Sequence, residues 1–333
     1  MSSRVRSLIR SCLILQDSDY FFEQHPTLAA LGAADRAVIE RWRSRMRGAF
    51  VGLALGEALA APTQWQRGPI LPPVTDLLGG GHFDLPRGAW GDDTALAVCL
   101  AESLLACGAC DVTDQRQRFE RWLREGVPSA TGECVGISAG TARALGASGW
   151  ASAQPSSQSS PQRSTGASDG PDSISRLAPL VMWSAGRPER LTLYLRPVLM
   201  VTAQEWITLQ VAEQVSRALL RALQGQPWAS VLSEAPDPAW SAQAVAQAWQ
   251  QSWSALSAGG DWKTRVLRAV NAGGHADAAA AVTGAIAGAV VGEDGIPWVW
   301  REALVDAAQI AHLADRLLAE VLLDEIASTE RAT

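Results

Sequence analysis

Two rows of glycine constrain this chain more than any other feature. Gly48, Gly52 and Gly56 recur every four residues, and so do Gly284, Gly288 and Gly292. On an α-helix four-residue steps keep a side chain on one face, about 6 Å apart along the axis. Each glycine costs about 1 kcal/mol of helix propensity relative to alanine. Six such costs at helical period imply a return, and close approach of two backbones, inside the usual separation of about 8–10 Å between axes, supplies it. The pattern predicts a tightly packed pair of core helices. That pair is scaffold, yet it brings the residues at its ends together.

The remaining signals are also helical. Apolar residues at three- and four-residue spacing predict helices over 33–61, 94–107, 115–125, 204–223, 239–256, 277–291 and 298–326, the first stopped by Pro62. Alternating, β-branched runs bounded by turns are nearly absent, so the expected class is all-α, a single compact multi-helix domain over 35–330. Residues 147–173 are rich in Ser, Gln, Gly and Pro and bury too little apolar surface to offset their ordering entropy. They are expected to form a disordered surface loop within that domain. Residues 1–34, with Arg4, Arg6 and Arg10 ahead of a short apolar patch, read as an N-terminal arm; the patch stops at Gln16, too soon for a secretory signal.

Charge and length exclude some classes of function. Twenty-eight Lys and Arg against 34 Asp and Glu leave a net charge of −6, with no dominant basic field to hold a nucleic-acid backbone. The longest apolar run, 278–292, falls short of the roughly 20 residues a membrane span needs. Five cysteines, an odd number, argue for reduced thiols and a cytoplasmic setting. Cys107 and Cys110 form a CxxC with no second pair, and read as spectator thiols. His25, His82 and His312 have no ligand-like spacing to one another and read as structural or surface residues.

Acidic residues sit beside both glycine rows. Asp92 and Asp93 fall where a helix is expected to begin, and a Gly-Gly turn delivers His275 and Asp277 to a second helix start. Carboxylates there cap free amides and suit the helix dipole. Oxygen-rich clusters at such points also hold hard cations such as Mg²⁺ or Mn²⁺, whereas an imidazole better suits borderline metals.

These segments are similar to those of the ADP-ribosylglycohydrolase family, which includes the dinitrogenase-reductase-activating glycohydrolases. The similar stretches begin with Gly48-Ala-Phe-Val-Gly-Leu-Ala-Leu-Gly-Glu-Ala-Leu, Trp90-Gly-Asp-Asp-Thr-Ala-Leu and Ser129-Ala-Thr-Gly-Glu-Cys-Val-Gly-Ile-Ser-Ala-Gly-Thr. Ser173-Ile-Ser-Arg-Leu-Ala-Pro, Ala269-Val-Asn-Ala-Gly-Gly-His-Ala-Asp-Ala, residues 284–292 and Ile296-Pro-Trp follow in the family's order. The resemblance implies an all-α domain with a two-metal Mg²⁺ or Mn²⁺ site. It also implies hydrolysis of the glycosidic bond between ADP-ribose and a protein side chain, the ions orienting ribose hydroxyls and a water.

Several positions depart from that pattern. Gly91 stands for a threonine, His275 for an aspartate, Ala278 for a threonine, Glu57 for an aspartate and Gln64 for a glutamate; a Thr-His pair appears as Thr202-Ala203. Losing even a group that supports a ligand costs about 10–100-fold in metal affinity or activity, so three altered ligand positions predict a deeper loss. At most one Mg²⁺ or Mn²⁺ site is expected, held by Asp92, Asp93 and Asp277 with His275 as a further candidate. Asp93 and Glu57 are the candidate catalytic groups. Trp90, which with Trp65 could stack a base, Ser173 and Arg176 are the candidate substrate contacts. Two readings follow: an impaired or diverged protein (a pseudoenzyme) that binds ADP-ribose or ADP-ribosylated protein, or an active hydrolase with a rearranged metal site.

Overall fold

The computed structural model describes residues 33–66, 70–146 and 170–332. The expected arm over 1–34 and loop over 147–173 fall almost wholly outside the described residues. Among the described residues the chain is helical, and its one β-type pairing is a single bridge between Gly80 and Leu85.

The two glycine rows lie on α1 (Ala33–Ala60) and on α12 (Ala276–Val291) with its C-cap Gly292, and the two helices pack against each other through these rows. A Cβ at Gly48 would overlap the carbonyl of Gly288, one at Gly52 that of Gly284, and one at Gly56 that of Ala280. One number rises by four as the other falls by four, so the helices run antiparallel. Their carbonyl oxygens occupy the space that side chains would fill. In this register the C-terminal end of α1, with Glu57, meets the N-terminal end of α12, with Asp277.

Other helices wrap this pair. Along the chain come α2 (Asp92–Cys107), α3 (Val112–Glu125), α4 (Ala139–Ala144), α5 (Asp172–Ser175), α6 (Ala178–Trp183) and α7 (Glu189–Met200). They are followed by α8 (Trp206–Leu223), α9 (Trp228–Val231), α10 (Ala244–Ser257), α11 (Trp262–Val270), α13 (Trp298–Ala303) and α14 (Ala307–Ala332). Helices α8, α10 and α11 cover α12, and α14 lies against α1, α2 and α6. Helix α2 is buried on almost every face, which explains its lack of a polar stripe.

The structure corrects three boundaries. The helix expected over 298–326 is broken between α13 and α14, where Asp306 has φ +57. Residues 239–243 belong to a 3₁₀ turn (Pro238–Trp240) and its exit rather than to α10. Helix α7 was not expected, because Pro197 lies inside it. Proline removes one backbone donor, and the buried Leu191, Leu195, Val198 and Leu199 hold the segment helical nonetheless.

Candidate functional site

Four acidic residues from three segments converge where α1 ends and α2 and α12 begin. Glu57, Asp92 and Asp93 are buried, and Asp277 is half-buried. Helix α2 starts at Gly91, which has no side chain to cap it. Glu57 does so from the neighbouring helix: its Oε1 accepts the N–H of Asp93 at 3.0 Å and its Oε2 that of Thr94 at 2.9 Å. A Cβ at Gly91 would stand 2.9 Å from Glu57 Oε1. The glutamate therefore extends into the space that a side chain at 91 would need.

Each remaining carboxylate has its own anchor. Ser175, at the end of α5, donates its hydroxyl to Asp93 Oδ1. The Asp92 carboxylate rests against Gly136, where any Cβ would overlap its Oδ1. Asp277 Oδ1 accepts the N–H of Ala278 at 2.9 Å. Asp172 forms the back wall: its Oδ2 accepts from Thr141 Oγ1 at 2.6 Å and from the Arg176 guanidinium at 3.2 Å, while its Oδ1 has no partner.

Like charges at close quarters, in a site shielded from water, favour the neutral acid. Burial first, then the charges of Glu57, Asp172 and Asp277, push the Asp92 carboxyl well above the usual carboxylate range. Asp93 is raised in the same way, by burial and by Glu57, Asp92 and Asp277, with the Ser175 hydroxyl opposing. Asp277 is raised chiefly by burial. Glu57 is pushed up to about 7 by burial, against the pull of the N–H groups it accepts. Burial lowers the pKa of His275, the charge of Asp277 opposing, so its imidazole favours the neutral form.

Whether these groups fit a metal is a matter of charge and of arrangement. The charge calls for a cation, and the buried Arg176 guanidinium is bound to Asp172. The arrangement does not close round one: among the described residues no three His, Cys, Asp or Glu side chains are placed to hold an ion. Both Glu57 oxygens serve the backbone, Asp93 is engaged by Ser175, and Gly91 offers no hydroxyl.

The expected substrate contacts divide. Ser173 is buried beside the cluster's back wall, its hydroxyl without a partner. Trp90 is buried, and its Nε1 donates to Val305 O at 2.9 Å. The Arg176 guanidinium lies fully inside, bound to Asp172 and, at 2.5 Å, to Thr202 Oγ1 over the Phe119 ring. Trp65, by contrast, is exposed.

Asp172, Ser175 and Thr141 were missed in the sequence. Thr141 and Ser175 stand inside the quoted stretches, Ser175 two residues after Ser173 and one before Arg176; Asp172 precedes Ser173 directly. Gln64 is buried next to Trp65, and neither atom of its carboxamide has a hydrogen-bond partner. A groove of about 420 Å³ lined by Gln247, Gln251 and Arg268, among others, lies elsewhere, and none of its lining residues belongs to the acidic cluster.

Comparison with known proteins places this geometry. A family model described as ADP-ribosylglycohydrolase matches residues 39–326. An ADP-ribosylarginine hydrolase of Serratia proteamaculans is 30% identical over 314 residues, covering 82% of this chain and 78% of the relative. An ADP-ribosyl-[dinitrogen reductase] glycohydrolase of Rhodospirillum rubrum is 25% identical, covering 84% and 97%. A solved structure described as an ADP-ribosylglycohydrolase-related protein complex superposes with a TM-score of 0.68 at 32% identity, covering 84% of this chain and 98% of that one.

Proposed function

The chain belongs to the ADP-ribosylglycohydrolase family, and on that premise we propose that it binds ADP-ribose, free or carried on a protein side chain, and cleaves it slowly or not at all. The observation that carries this reading is the state of Glu57. A carboxyl group whose two oxygens both accept backbone N–H bonds is committed to capping a helix and is not free to act as an acid or base on a ligand. The half-buried Asp277 and His275 stand at the mouth of the cluster, and Asp92 and Asp93 at its floor. These are groups that could accept hydrogen bonds from ribose hydroxyls.

The rest of the machinery points the same way. Gln64 offers a carboxamide, which donates and accepts hydrogen bonds but does not take a proton from water at neutral pH. It suits holding a ligand better than activating one. The family is usually metal-dependent, and a cation bound here would supply neutralising charge at the carboxylates. As arranged, no three of the described His, Cys, Asp or Glu side chains close round one.

The partner this reading implies is ADP-ribosylated protein. No described helix is long and apolar enough to cross a membrane, and we assign the chain to the cytoplasm on its unpaired cysteine count. The test measures binding and turnover separately. Calorimetry with ADP-ribose is expected to show binding that Asp277→Ala weakens at least tenfold. Turnover of an ADP-ribosylarginine peptide in Mg²⁺ or Mn²⁺ is expected at least about 100-fold below that of the Serratia relative run alongside. Turnover equal to the relative's, abolished by Asp93→Ala, would establish the active-hydrolase reading instead.

A further inference from the structure

The groove of about 420 Å³ shares no lining residue with the acidic cluster, and its chemistry is of another kind. Helix α10 lines it with Gln247, Gln250, Gln251 and Ser254, at offsets of three, four and seven residues from the first, which is the spacing of one helix face. Alanines, Ala272 among them, and Arg268 of α11 complete the lining. Among the described residues that line the groove, Arg268 alone carries charge, and it donates to Gly259 O beyond the end of α10. The Oε1 of Gln251 is buried and has no hydrogen-bond partner.

Gln251 also ties this groove to the acidic cluster. Its Nε2 donates to Gly273 O at 3.1 Å, and a Cβ at Gly274 would stand 3.0 Å from the same nitrogen. Those two glycines form the turn between Ala272, at the edge of the groove, and His275. Three Cα–Cα steps of about 3.8 Å keep Ala272 and His275 within about 11 Å of each other. From its other side the turn is held by Gln66, whose carbonyl accepts the N–H of Gly274 at 2.9 Å. The groove therefore ends where the mouth of the cluster begins.

We infer that this groove holds the polypeptide that carries the ADP-ribose group, as an extended segment beside the modified side chain. The inference rests on the ADP-ribose reading above and adds the surface that recognises the carrier chain. A carboxamide donates and accepts at once, as a peptide group does, so a row of them matches the N–H and C=O groups that an extended chain leaves unused. A helix spends those groups on itself and would give the glutamines no peptide group to bind. A diphosphate would need several cations or converging N–H groups, and the groove offers one guanidinium. The lined face of α10, from Gln247 to Ala258, is about 16 Å long, the span of about five extended residues. The buried Gln251 Oε1 is an acceptor that a peptide N–H would satisfy.

Calorimetry on the full chain with two ligands tests it: free ADP-ribose, and a peptide of about ten residues carrying ADP-ribose on a central arginine. The wild type is expected to bind the modified peptide at least about fivefold more tightly than ADP-ribose, the gain that two net hydrogen bonds give. Gln250 and Ser254 are both exposed, so their replacement spares the core. The double variant Gln250→Ala, Ser254→Ala should lose most of that gain, and Ser254→Trp, which blocks the groove, all of it. Both should bind free ADP-ribose within about twofold of the wild type. A wild type that binds the peptide no more tightly than ADP-ribose overturns the groove and leaves the ADP-ribose reading standing. Variants that keep the whole gain, or that lose affinity for both ligands alike, overturn it too. A wild type that binds neither ligand overturns both readings.

Discussion

At the scale of single residues, the exchange between Gly91 and Glu57 organises the site. A threonine at 91 would cap α2 from its own chain; here the cap crosses from α1, and the longer acid fills the space left open. Gly91→Thr should therefore cost about 1–3 kcal/mol through overlap with Glu57. Glu57→Asp should cost about 1 kcal/mol, since the shorter acid loses reach to one or both N–H groups. The double variant should be more stable than the sum of the two losses predicts, as urea unfolding in a double-mutant cycle would read. The pH dependence has a definite sign. Glu57 is raised from 4.5 to about 7, so between those values the folded chain holds more of this proton than the unfolded one, and stability falls as pH rises. Melting temperatures between pH 4.5 and 7.5 should decline, and more shallowly in Glu57→Gln. Asp92, Asp93 and Asp277 could be read in the sequence because acids beside glycine rows at expected helix starts are a local signal. Asp172 and Ser175 could not: they sit in a helix of one turn, after residues with no periodic pattern, and Asp172 acquires meaning only through Thr141 and Arg176, Ser175 only through Asp93.

At the scale of helices, the seam between α1 and α12 sets opposing effects against each other. Gly288→Ala gains about 1 kcal/mol of helix propensity. It also pushes a methyl group into the Gly48 carbonyl, and overpacking of a well-filled core costs about 1–3 kcal/mol. Net destabilisation is expected in urea unfolding, whereas the same change in a helix facing solvent would stabilise. The seam was legible because its spacing is periodic and its composition costly. The break at 304–306 was not, since the apolar period runs on through it and only Asp306, in the left-handed region, marks it. Helix α7 was hidden for the opposite reason: a proline signals an end that tertiary burial overrides.

At the scale of the molecule, closure depends on one buried acid. Asp315 of α14 accepts hydrogen bonds from Arg43 at 3.1–3.3 Å and from Arg47 at 2.5–2.8 Å, which fastens the last described helix to the first. Asp315→Ala takes the shared carboxylate from two cations, one of them buried, and should cost about 3–5 kcal/mol. Breaking the exposed pair of Arg121 and Glu125 should cost under about 1 kcal/mol. The acidic cluster poses the complementary problem, an excess of negative charge without fixed counter-charge. Calorimetric titration with Mg²⁺ or Mn²⁺ should reveal at most one weak site; two tight sites would mean that the carboxylates rearrange around metal.

The interlocked carbonyls of α1 and α12 have a consequence for how such a protein can change. Two toothed rods meshed every four residues can slip only by a whole notch, about 6 Å, and a single inserted residue would turn the teeth aside by about 100°. The rods therefore act as a gauge. They keep the span between Glu57 and Asp277 constant while the letters at the open end, Gly91, His275 and Gln64, are rewritten, so that a chemistry can be lost or altered one substitution at a time without the frame that measured it ever moving.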